Sequence, residues 1–322
     1  MRSWSSHPVR GIAMKSRAES VQDVVTPAGG VWVHWRDYLT LTKPRVVVLM
    51  VFTAIVGMFL ASPGQVPWVA LTVGSLGIAL AAGSAAALNH LADQRIDAIM
   101  ARTRRRPLPS GHLRPLQVLG FSSLLGVAGL GMLALWINPL TAALTFASLI
   151  GYALVYTLYL KRATPQNIVI GGAAGAAPPL LGWTAVTGSV DAHALLLFLI
   201  VFVWTPPHFW ALAVARLKDY ERADVPMLPV VYGERFTRWQ ILLYTVLLLA
   251  VSLLPWATFM GGWLYLAAAV GLGGWYLMLN VRLLLTPGPR LPMRSFRFSI
   301  IYLFGLFAAL LVDRQLPVWL GA

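Results

Sequence analysis

Long apolar runs separated by short polar breaks dominate the chain. They cover about residues 45–62, 67–91, 116–136, 140–160, 168–187, 193–215, 239–258, 263–285 and 296–316. Each approaches the roughly 20 residues that a helix needs to cross the hydrocarbon core of a bilayer. Breaks such as Ser62-Pro63-Gly64 and Thr286-Pro287-Gly288-Pro289 punctuate them. Lipid offers backbone N–H and C=O groups no partner, so such runs must be helical. Their continuity, with no alternation, excludes β-barrel strands. The pattern predicts an all-α integral membrane protein with nine transmembrane helices, its membrane domain spanning residues 36–322. Residues 1–35 are polar and aperiodic and read as a mobile N-terminal tail.

Composition agrees with this pattern. Of 322 residues 58% are hydrophobic and 11% charged, against about 25% charged in soluble domains. The absence of Cys excludes a disulfide scaffold, a thiolate metal site and a cysteine nucleophile. A net charge of +14 would suggest nucleic acid in a soluble chain. Here the positions of the charges give another reason. All but one of the 25 Lys and Arg fall in the N-terminal segment, in the loops after spans two, four, six and eight, or at the adjoining helix ends. The exception is Arg314 near the end of span nine. Basic residues favour the cytoplasmic side, so the N-terminus is expected in the cytoplasm, with no nucleic-acid partner. The short tail favours a bacterial inner membrane over a mitochondrial one.

Among the eleven acidic residues two stand together, in Asn89-His90-Leu91-Ala92-Asp93-Gln94-Arg95-Ile96-Asp97. On one continuous helix, Asn89, Asp93 and Asp97 would lie within an arc of about 80°. Carboxylates one turn apart repel, and the negative end of a helix disfavours them further. A hard divalent cation such as Mg²⁺ would relieve both effects. The simpler alternative is a solvated helix end whose acids pair with Arg95 and Arg102. The run Arg102-Thr103-Arg104-Arg105-Arg106-Pro107-Leu108-Pro109 shifts the balance. Acids that recruit a metal beside Arg forks suit a phosphorylated anion. A second loop on the same face, Lys218-Asp219-Tyr220-Glu221-Arg222-Ala223-Asp224, repeats the mixture, and Tyr156 to Arg162 forms a third. Two acidic loops with phosphate-gripping cations suggest chemistry on a diphosphate. Neither contains a glycine-rich phosphate loop, so nucleotide hydrolysis is not indicated.

These residues resemble the UbiA superfamily of membrane-embedded aromatic prenyltransferases. The match runs through Asn89-x3-Asp93-x3-Asp97, Met100-x-Arg102-Thr103-x-x-Arg106-Pro107-Leu108 and Tyr156-Thr157-x3-Lys161-Arg162. It continues through Gln166-Asn167-Ile168, Gly171-Gly172, Trp204-Thr205-Pro206-Pro207-His208-Phe209-Trp210 and Lys218-Asp219-Tyr220-x-x-Ala223-x-x-Pro226-Met227-Leu228-Pro229. It covers about residues 36–315. The Pro-Pro-His-Phe-Trp string looks like the haem-modifying branch. So does the missing second acid of the later motif, where Ala223 stands and Asp224 is one position late.

The resemblance implies transfer of the farnesyl group of farnesyl diphosphate to a vinyl group of protohaem IX, giving haem O and diphosphate for terminal oxidases. It implies Mg²⁺ as cofactor, held by Asn89, Asp93 and Asp97, with Asp219 as a further metal-site and catalytic residue. Arg102, Arg106, Lys161, Lys218, Arg222 and Tyr156 would bind diphosphate. His208 and Trp204 would bind haem, with His208 as axial ligand and His90 as a competing candidate. Haem A synthase or the terminal-oxidase assembly machinery would be partners in the bilayer. Pro178-Pro179 and Pro206-Pro207 are expected to kink their helices. The nearest alternative is another UbiA-type prenyltransferase acting on a phenolic, quinone-precursor or chlorophyllide acceptor. A transporter is disfavoured because the polar groups crowd one face and no internal repeat is evident.

Overall fold

The structure, a computed structural model, describes residues 35–62, 64–286 and 288–319. Apart from Trp35, the tail read over residues 1–35 lies outside the described residues. Within them, nine helices are long and apolar enough to cross a membrane, which makes the chain a multi-pass membrane protein. Each expected run falls on one of them.

A short helix α1 (Trp35–Leu41) leads into α2 (Pro44–Ala61), and α3 (Ser75–Ala92) follows. The pieces α4 (Gln94–Ile99), α7 (Lys161–Ala163) and α10 (Leu217–Arg222) are too short to cross anything. They punctuate α5 (Pro115–Met132), α6 (Pro139–Ile150), α8 (Asn167–Thr187) and α9 (Ala192–Ala215). The chain closes with α11 (Leu228–Ala257), α12 (Trp263–Leu285) and α13 (Leu291–Trp319). Because crossings alternate, α1, α4, α7 and α10 gather at one end of the bundle. Helices α8 and α9 pack on each other at its centre; α2 covers α8, while α11 and α13 cover α9.

Small residues make the crossing of α2 over α8 close. A Cβ at Gly182 would lie 1.9 Å from the carbonyl oxygen of Ala54, and one at Gly57 would lie 2.2 Å from that of Pro179. Without a hydrophobic drive between helices in lipid, such backbone approach supplies the packing energy. Pro178 lacks an N–H and frees the carbonyl four residues earlier. That carbonyl, on Ala174, accepts a hydrogen bond from the Ser148 hydroxyl at 2.9 Å. The proline pairs lie inside the helical spans of α8 and α9.

The structure departs from the sequence reading in three places. The acidic motif is not one continuous helix: α3 ends at Ala92, Asp93 caps it at φ −88°, ψ 1°, and Asp97 sits on the separate α4. Helix α11 starts at Leu228, about ten residues before the apolar run, and is interrupted at Gly233 (φ 80°, ψ 164°). Polar residues follow this turn, and Glu234 and Arg238 pair one helical turn apart just after it. The fourth span is only half α-helical, since Gly151–Leu160 forms a π-helix.

Candidate functional site

At the end of the bundle that collects the short helices, Asn89, Asp93 and Asp97 are all buried, each no more than 5% exposed. Buried carboxylates need partners, and cations supply them. Lys161 bonds Asp93 Oδ2 at 2.6 Å and Arg106 bonds Asp97 Oδ2 at 2.7 Å. Lys43 donates to Asn89 Oδ1 at 2.5 Å, while Asn89 Nδ2 donates to Asp93 Oδ2 at 3.0 Å and to Thr157 Oγ1 at 3.3 Å. The acids therefore do not pair with Arg95 or Arg102 as the simple helix-end reading supposed. Their mutual repulsion is also relieved by side chains, so it cannot by itself require a metal. One atom remains over: Asp93 Oδ1 is buried with no hydrogen-bond partner among the described residues. The side-chain oxygens of Asn89, Asp93 and Asp97 are hard donors of the kind Mg²⁺ takes, with Asn89 Oδ1 engaged by Lys43 and Asp97 Oδ2 by Arg106.

Local structure puts each group there. The helix break at Asp93 redirects the chain so that Asp97 returns under the Arg102–Arg106 loop. Thr103 ties that loop down, its hydroxyl donating to the Asp97 carbonyl at 2.9 Å. Leu108 and Leu113 anchor it in an apolar cluster with Leu41, Ala87 and Val118. On the other side Met100 joins Tyr220, Val225 and Met227 in a second cluster, which seats the α10 loop against the α4 loop. The Tyr220 phenol, raised above its ordinary pKa mainly by burial, also feels Arg102, Asp219, Arg106 and Asp93. The π-helix brings Tyr152 and Tyr156 into a stack 5.5 Å apart. Tyr156 sits over Gly171, where a Cβ would come within 2.1 Å of its ring.

Lys43 is the residue that sequence reading missed. In the sequence it counts only as one of the basic residues of the N-terminal segment. In fact it breaks the chain between α1 and α2 in a left-handed conformation, φ 51°, ψ 58°, uncommon for a side chain with a Cβ. Burial and the nearby Arg106 lower its ammonium to a pKa of about 8. Pro44 after it, at the entry to the first apolar run, was the available signal. Thr157 and Tyr220 stand within the matched motifs, but the motifs assign them no role.

The remaining expected residues fall into two groups. Asp219 is half-buried near Tyr220, whereas Arg102, Lys218 and Arg222 are exposed and make no ion pair with the Asn89–Asp97 group. Trp204 and His208 lie on α9 apart from the acids. His208 is seven residues before the end of α9, about 10 Å along the axis by helical rise. It stacks between Trp204, 4.2 Å centroid to centroid, and Phe296, 4.5 Å. His90 is buried beside Asn89 with neither ring nitrogen bonded among the described residues.

A bundle of nine apolar helices carrying an asparagine–aspartate cradle and three inward-pointing cations at one end describes a class of membrane prenyltransferase. The chain belongs to the UbiA prenyltransferase family, whose sequence model matches residues 50–309. A protein of Azotobacter vinelandii called protoheme IX farnesyltransferase is 60% identical over 286 residues, which is 89% of this chain and 96% of that one. Among solved structures, one of digeranylgeranylglyceryl phosphate synthase superposes with a TM-score of 0.73 at 20% identity, covering 87% of this chain and 98% of the other. A UbiA homologue from Archaeoglobus fulgidus bound to GPP and Mg²⁺ gives 0.58 at 15% identity, covering 85% and 99%.

Proposed function

We propose that this chain transfers the farnesyl group of farnesyl diphosphate to a vinyl group of protohaem IX, forming haem O. The observation that carries the proposal is the 60% identity, over nearly the whole of both chains, to a protein named for that reaction. The buried charge group supports it. Lys43, Lys161 and Arg106 against Asp93 and Asp97 leave one formal positive charge. A prenyl diphosphate carrying one Mg²⁺ has one net negative charge and would neutralise the group.

The chemistry follows from these residues. The allylic C1–O bond of farnesyl diphosphate breaks, and its electron pair leaves with the diphosphate. Lys43, Lys161 and Arg106 would stabilise the charge that grows on the leaving oxygens, with Arg102, Lys218 and Arg222 reaching in from the rim. Asn89, Asp93 and Asp97, with Asp219 opposite, would hold Mg²⁺, which supplies Lewis acidity toward the leaving group when bound. The vinyl π pair attacks C1. Water then adds to the new cation beside the porphyrin and loses a proton, leaving the hydroxyl. Tyr152 and Tyr156 would wall the farnesyl cation from bulk water, with Tyr156 also reaching the diphosphate. His208 would ligate the porphyrin iron from within the bundle, and Trp204 would pack beside it.

Membranes containing the chain, given haem B, farnesyl diphosphate and Mg²⁺, should form haem O by mass analysis. Failure with haem B but prenylation of a phenolic acceptor would favour the alternative branch. We further propose that the membrane is a bacterial inner membrane with the charged end in the cytoplasm. Nearly all basic residues gather there. A reporter fused at residue 322 should read as external, and one in the 216–227 loop as internal. The reverse would place the diphosphate site away from a cytosolic isoprenoid supply.

A further inference from the structure

Ser299 in α13 makes three hydrogen-bonding contacts. Its backbone carbonyl accepts the Trp204 indole N–H at 2.8 Å. Its hydroxyl oxygen lies 2.7 Å from the Phe296 carbonyl oxygen and 2.6 Å from Nδ1 of His208. A serine hydroxyl carries one hydrogen, and a carbonyl can only accept. That hydrogen therefore goes to Phe296; otherwise two oxygens would face each other at 2.7 Å with no hydrogen between them. The short contact to His208 must then take its hydrogen from Nδ1. A neutral imidazole has one N–H, so the lone pair falls on Nε2. Two rings cannot share one face at these distances, so Trp204 and Phe296 cover opposite faces of the imidazole and fix its plane. Nothing among the described residues bonds Nε2.

We propose that Ser299 is a positioning residue: it presets His208 as the Nδ1–H tautomer and so presents the Nε2 lone pair to the iron of the porphyrin substrate. The proposal rests on the reading above that His208 ligates that iron. An imidazole whose second nitrogen donates to an oxygen is the usual arrangement of a ligating histidine, and the bond raises its basicity. The purely structural alternative is also specific. A serine that back-bonds to the carbonyl three residues earlier is common inside helices. A Ser–His bridge would then only join α13 to α9, and its loss would lower stability without touching the iron.

The test uses the purified full chain with ferrous haem B and no farnesyl diphosphate. It reads haem affinity, the Soret band and the iron–imidazole stretching mode by resonance Raman. Ser299→Ala should weaken haem binding by about tenfold to a hundredfold, the range for lost outer-shell partners. It should also lower the stretching frequency, and Ser299→Thr should restore both. Ser299→Cys, a poor acceptor, is the second variant and should shift the mode in the same direction. His208→Ala should abolish the mode. If His208→Ala leaves the mode and affinity unchanged, the ligation reading falls and the proposal falls with it. If His208→Ala abolishes the mode but neither Ser299→Ala nor Ser299→Cys moves it, ligation stands and Ser299 is merely structural.

Discussion

Asp93→Asn should lower haem O formation by about a thousandfold or more. Lewis-acid and charge stabilisation of a leaving group contributes several kcal/mol, and each 1.36 kcal/mol is a factor of ten. Asp93 is the residue on which the site converges. It is buried, one oxygen holds Lys161 and Asn89, and the other has no partner among the described residues. Asparagine keeps the shape and can still accept from Lys161, but it removes the charge that would recruit a metal. Breaking a buried pair carries its own cost, up to about 3–5 kcal/mol when one partner is lost outright. Activity alone therefore cannot distinguish a damaged site from a damaged fold. The deciding measurement is farnesyl diphosphate affinity with and without Mg²⁺, alongside thermal melting. The parent chain should bind more tightly with Mg²⁺, and a folded Asp93→Asn should lose that difference. Asp97→Asn, opposite Arg106, should behave alike. Near-normal haem O production by either variant would remove the metal assignment.

How far the sequence reveals this site depends on the kind of signal. The nine spans were legible because lipid enforces hydrophobicity along the whole length of each helix, and no tertiary contact can override that. Asn89, Asp93 and Asp97 stood out because acids are rare in such a chain, and the structure does gather them. Their geometry was not legible. The i, i+4, i+8 spacing implied one helix, but the chain breaks at Asp93, and nothing local in Ala92-Asp93-Gln94 announces it. Which cation meets which member of the group depends on contacts 68 residues apart for Lys161 with Asp93 and 46 for Lys43 with Asn89, beyond any local pattern. The exposed Arg102, Lys218 and Arg222 mark the other boundary of what a sequence shows: a charge run near a motif does not say which of its charges pair with the buried acids and which stay at the rim. Ser299 was invisible because a serine in an apolar helix usually does no more than bond its own backbone.

Lys43→Met should separate binding from stability more cleanly than any substitution among the acids. The partner of Lys43 is the neutral amide of Asn89, so its removal strands no buried carboxylate. Asp93 keeps Lys161 and Asp97 keeps Arg106. The ammonium is already disfavoured by burial and by Arg106, which together lower its pKa to about 8. Replacing that cation with an apolar side chain of similar length removes its desolvation cost but leaves the buried Asn89 Oδ1 without its donor, a loss of about 1–3 kcal/mol. Thermal melting of Lys43→Met should thus fall only modestly below that of the parent, and far less than when a buried carboxylate is stranded. If Lys43 helps to carry the charge of the departing diphosphate, turnover should nevertheless fall by about 10²–10³, the loss typical of one preorganised donor. Lys161→Met makes the contrast, because it strands Asp93 and should lower stability and activity together. Wild-type kcat and KM for farnesyl diphosphate in Lys43→Met would make the lysine a structural clasp between α2 and α3. A stable but slow enzyme would place it among the groups that receive the diphosphate, and Lys43→Arg should then recover part of the rate, since a guanidinium at that point still offers charge and N–H donors.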